Sequence, residues 1–182
     1  MRTGIDQELL TERWDADRLE SPADTRRTRG CESVRLPTDL REWVDAGTLL
    51  GWVEEEVGRL NWSHPELVEY LRQNPDYQPR VMLTLLAVAY LTQTYSSEAL
   101  VNLCHSDPLF KSACGGKAPF AEEISSFRRR NRVVVERVLS RIFQRAIRHR
   151  FGLHESVLPP ELGPDLHSLA VERLDIARHM DA

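Results

Sequence analysis

The run Val81 to Leu91, VMLTLLAVAYL, has almost no polar face. A helix that is apolar on every side must be enclosed by protein, and a run of this length is about half of what a bilayer-spanning helix needs. It therefore predicts a buried helix over residues 80 to 93, following the turn Asn74 to Pro79, and no membrane segment. The chain has 182 residues, 41% of them apolar and 29% charged, which suits one globular domain with tails built around that helix.

The flanking sequence supplies helices, not strands. No stretch alternates apolar and polar residues as a half-buried strand would, and Val133-Val134-Val135, the strongest β-branched run, lies within helical spacing. Helix-start patterns recur instead. Asp39 caps a helix with Glu42 at the third position, Thr48 caps a second one carrying Leu49, Leu50, Val53, Val57 and Leu60, and Glu54 to Glu56 fall on the water side. Ser63 with Pro65 and Glu66 predicts a short helix to Gln73; Ser96-Ser97 and Asp107-Pro108 open two more. The expected fold class is all-α, a compact helical domain of about six to eight helices with a helix-turn-helix-like element and one long Arg-rich helix. Residues 1 to 35 read as a disordered tail, residues 36 to 151 as the helical domain, and residues 152 to 182 as a linker and a C-terminal helix, Asp165 to Met180.

Charge is distributed unevenly. The chain carries a net −4, yet residues 125 to 150 hold nine arginines against Glu136, a local +8, while residues 39 to 76 hold nine acids against three arginines, a local −6. On one helix over residues 127 to 150, Val135, Val138, Leu139, Ile142, Phe143 and Ala146 form an apolar face, and Arg130, Arg137, Arg141, Arg145 and Arg148 line the opposite side. Like charges at i,i+4 repel by a few tenths of a kcal/mol per pair, so the stripe predicts an anionic partner. Double-stranded DNA is the first candidate, in spite of the sequence pI of about 5.9. The chain's own acidic helices, Glu54 to Glu56, Glu66 and Glu69, are the second.

A helix over Ser97 to Cys104, a glycine-containing segment and the arginine helix, starting near Ala121 or Glu122, form an outline compatible with helix-turn-helix docking. In that outline Arg128, Arg129, Arg130, Asn131 and Arg132 approach base edges, Lys117, Ser125 and Ser126 hold phosphates, and Arg137, Arg141, Arg145 and Arg148 neutralise the DNA backbone.

Several residues carry a family resemblance. They are Asp39-Leu40, the segment YQPRVMLTLLAVAYLTQTYSSEALVNLCHSDPLFKSACGG from Tyr77 to Gly116, then Pro119 and ISSFRRRNR, Ile124 to Arg132. From Leu40 onward the chain resembles the N-terminal helical domain of insertion-sequence DDE transposases, the InsH type. Asp107, Phe110, Pro119 and Phe127-Arg128-Arg129 fill the family's positions, whereas Gln78 separates Tyr77 from Pro79-Arg80 where the family has them adjacent. The resemblance implies a helical domain that engages transposon-end DNA ahead of an RNase-H-like catalytic domain. Nothing after Phe151 reads as that second domain, and Asp165, Glu172 and Asp175 do not map onto its carboxylate triad. The expectation is a non-catalytic DNA-binding protein; the alternative is a protein-protein interaction module whose Arg-rich helix pairs with acidic partners, while the C-terminal helix mediates a homodimer.

Other chemistries are weighed and set aside. Cys31, Cys104 and Cys114 are odd in number and irregular in spacing, which points to free thiols and a cytoplasmic setting. The N-terminus lacks the pattern of an export signal. Cys104-His105 with Cys114 and His64 lacks metal-ligand spacing, and Gly115-Gly116-Lys117-Ala118 lacks that of a phosphate loop. No metal, cofactor or small-molecule substrate is expected. Trp43, Trp52 and Trp62 read as core anchors.

Overall fold

In the computed structural model the described residues are 35–63, 65, 68, 69, 72, 78–153, 158 and 162–181. The tail before Arg35, most of the Ser63 to Gln73 helix and most of the linker lie outside them. Among the described residues there are a 3₁₀ turn, Leu40–Glu42, and seven α-helices. These are α1 (Ala46–Gly58), α2 (Pro79–Leu91), α3 (Ser97–Ser106), α4 (Pro108–Ala113), α5 (Ala121–Arg130), α6 (Arg132–Phe151) and α7 (Leu162–Met180). The fold is all-α. Its β-like pairing among these residues is a lone bridge between Asp39 and Thr92.

The apolar run is α2, and it is the centre of the domain. Pro79 occupies its first turn, where a missing N–H costs nothing, and every residue from Met82 to Leu91 is buried. Helices α1, α4, α5 and α6 pack around it. It stops at Thr92, whose hydroxyl donates back to the Val88 carbonyl at 2.9 Å, a local bond that competes with helix continuation.

Caps follow the sequence with one shift. Asp45, not Thr48, caps α1: its carboxylate accepts from the Thr48 N–H at 2.9 Å and from the Thr48 hydroxyl at 2.6 Å. A carboxylate is the stronger acceptor, so Ala46 and Gly47 join the first turn. Asp39 accepts from the Arg41 N–H at 2.8 Å, which starts a 3₁₀ turn rather than a longer helix. Ser96 and Asp107 cap α3 and α4.

The long arginine helix is two helices. Asn131, with φ −114° and ψ 23°, interrupts it, so α5 ends there and α6 starts at Arg132; its side-chain amide donates to the Phe127 carbonyl at 3.0 Å. Helix α7 lies along α6 and buries Leu166, Ala170, Leu174 and Ala177. It belongs to the same compact unit as the helices before it. No described helix is long and apolar enough to cross a membrane.

Candidate nucleic-acid interface

The arginines of residues 125 to 150 divide into those used inside the fold and those left facing out. Ile124, Phe127, Arg128 and Asn131 stand at i, i+3, i+4 and i+7, which is one helical face, and all four are buried. Arg128 is 4% exposed. Its guanidinium donates to the Tyr90 hydroxyl at 3.3 Å and the Tyr95 carbonyl at 3.2 Å, and it forms an ion pair with Asp181, which also accepts from Ser97. Asn131 is 1% exposed. Both side chains, expected at base edges, are turned into the protein.

As the sequence predicts, the short helix α4 lies between α3 and the glycine loop and α5 begins at Ala121, so the first turn of α5 carries Glu122 and Glu123. Glu123 accepts from the Phe120 N–H at 2.8 Å, half of a capping box. Acids in that turn favour the helix dipole but repel phosphates, whereas a recognition helix presents its N-terminal residues to DNA. The arginines of α5 sit in its last turn, where cations favour the dipole. Ser125 and Ser126 are half-buried, and Lys117 is exposed in the glycine loop.

Three arginines of α6 meet carboxylates. Arg132 bonds Glu136 at 2.7 Å and Asp175 of α7 at 2.9 Å, and these bonds raise its pKa, that to Asp175 most. Arg141 reaches Glu56 at 3.4 Å and Arg145 reaches Glu55 at 2.5 Å, both on α1. The Arg145 hydrogen bond holds the Glu55 carboxyl below its ordinary range. Arg145 also lies 4.9 Å from the Trp52 ring centre, and Arg150 lies 5.9 Å from that of Trp43. The acidic α1 thus takes part of the stripe's charge within the molecule. Glu56, expected in water, is 6% exposed because it points at α6 and bonds both Arg59 and Arg141.

Arg129 and Arg137 are exposed with no ion pair to a described residue, and Arg148 is half-buried, likewise without one. Arg130 is exposed beside Arg129. The outward arginines without an ion pair to a described residue are therefore Arg129 and Arg137, while Arg148 is half-buried and Arg141 and Arg145 are partly engaged.

A family model for the transposase domain (DUF772) matches residues 39–130 of the 182. The chain belongs to this transposase-domain family. No curated protein and no solved structure matches it. The match runs from the capping Asp39 to the last residue of α5, in agreement with the insertion-sequence resemblance read from Asp39 to Arg132. Helices α6 and α7 lie past the matched part of the transposase domain and complete its compact unit.

Cys104 and Cys114 are buried free thiols. Burial, and then the neighbouring Cys114, push the Cys104 thiol well up, as suits a packing residue rather than a nucleophile.

Proposed function

We propose that this transposase-type domain binds double-stranded DNA without itself cutting it, and that it does so by neutralising backbone phosphates with the outward arginines of α5 and α6. Support comes from Arg129, Arg137 and Arg148, which keep their charge in a unit where Arg128, Arg132, Arg141 and Arg145 have carboxylates. Three phosphates held in this way give a log K against log salt slope of roughly −2.7. Base reading is a minor part of the reading, because Arg128 and Asn131 are buried. Electrophoretic retardation of a random-sequence duplex across a salt series tests it: steep weakening with salt is expected, and absent or salt-independent retardation removes the idea.

A second reading follows from Glu55 and Glu56. Since α1 already offers carboxylates to Arg145 and Arg141, the same face suits an acidic protein surface. Charge reversal at Arg129 and Arg137, which have no ion pair to a described residue, separates the two. A folded variant that no longer retards DNA supports the first; unchanged retardation with loss of an acidic protein partner supports the second.

A further inference from the structure

The groove between α1 and α6 has a composition that the stripe alone does not explain. It encloses about 490 Å³ and is lined by Arg59 at the end of α1 and by Arg141, Arg145 and Arg148 of α6, with Trp52 and Glu56 among its walls. Four guanidinium groups thus share a space with one lining carboxylate. Glu56 bonds Arg59 at 2.5 Å but Arg141 only at 3.4 Å, so its hold on Arg141 is loose. The Nε–H of Arg148 is buried and has no hydrogen-bond partner among the described residues. A buried donor without an acceptor is unfavourable, and an incoming oxygen would relieve it. A compact anion with several acceptor oxygens suits such forked donors.

We propose that this groove is a phosphate-binding site in which Arg59, Arg141 and Arg148 take the ligand oxygens and Glu56 stands in for the phosphate when the site is free. Its natural occupant would be a phosphodiester of the DNA backbone, a step that rests on the DNA-binding reading above. The arrangement differs from the outward stripe in kind. Arg129 and Arg137 meet phosphates in solvent, where each contributes charge, while the groove holds one phosphate in a fixed place and so fixes the register of the duplex on the domain.

Thermal unfolding of the full chain in inorganic phosphate or pyrophosphate, against chloride at matched ionic strength, tests the site directly. A saturable rise of the midpoint is expected. Arg148→Gln should weaken the phosphate response by at least about tenfold, with its fold checked by circular dichroism. Arg59→Gln, at an exposed side chain on the rim, should weaken it too, with its fold checked in the same way because it removes a partner of Glu56. Arg137→Gln, outside the groove, should leave it intact. In duplex retardation, each groove variant should flatten the salt slope by about one unit. No saturable phosphate response in the wild-type protein, or a full response in both groove variants, overturns the proposal. A phosphate response lost in the variants, from a protein that retards no duplex, supports the site and removes the DNA reading. Duplex retardation without any phosphate response does the reverse.

Discussion

Arg128 and Arg129 are neighbours in one basic run, and the fold uses them in opposite ways. Arg128 is enclosed with Asp181, and breaking an enclosed pair leaves a charge without its counter-ion, which typically costs about 3 kcal/mol or more. Asp181→Asn should therefore lower stability in urea by about 3 kcal/mol, whereas Arg129→Gln should leave the midpoint where it is. Burial by itself would push the Asp181 carboxyl up, but the Ser97 bonds and the Arg128 charge outweigh it and the net shift is downward. A depressed carboxyl stabilises the fold fully above the ordinary aspartate range and loses that contribution as pH falls through its own lower value. Thermal scans from neutrality into strong acid should show this step in the wild type and a smaller one in Asp181→Asn. The signal separating the two arginines was in the sequence, since Arg128 and Asn131 share a helical phase with Ile124 and Phe127. Placing residues 127 to 150 on one continuous helix obscured it. The partner Asp181 was not legible, because 53 positions separate it from Arg128.

At the scale of elements, helix existence was more legible than helix ends. The apolar face of α6, from Val135 to Ala146, is buried as its spacing predicts. The break at Asn131 was not read, because it lies in the non-helical backbone of one residue inside an otherwise helical pattern. Helix α6 ends at Gly152, with φ +61° and open space where a side chain would stand. A substitution there acts through the backbone alone: Gly152→Ala should cost about 1 kcal/mol. Gly152→Asn should cost less, since asparagine tolerates the left-handed region. Urea midpoints ordered Gly, Asn, Ala would bear this out; equal midpoints would show that the cap contributes little. The groove between α1 and α6 could not be placed from spacing, as it needs the acidic and basic helices to be known neighbours. The opposite net charges of residues 39 to 76 and 125 to 150 were the available hint.

Over the whole molecule, α7 is the least expected contributor. It reads from sequence as an appendage after a linker, yet its Arg173 is 3% exposed and donates to the Tyr90 carbonyl at 2.6 Å and the Pro37 carbonyl at 2.9 Å. Burial lowers the pKa of that guanidinium, and carbonyl oxygens and the Phe143 ring face, 4.8 Å away, replace a carboxylate partner. A chain ending at Phe151 would lose this tie, the counter-ion of Arg128 and four buried apolar side chains. It should show no cooperative unfolding transition in urea by near-ultraviolet circular dichroism; a sharp transition would show that α1 to α6 stand alone. The link from Arg173 to Pro37 also has a temporal meaning. During synthesis the segment around Pro37 leaves the ribosome long before Arg173 exists, so the face of α6 that α7 covers must wait, uncovered, for α7 to emerge. Slow translation of residues 152 to 173 would lengthen that exposure, and a holding chaperone would be most useful in that interval.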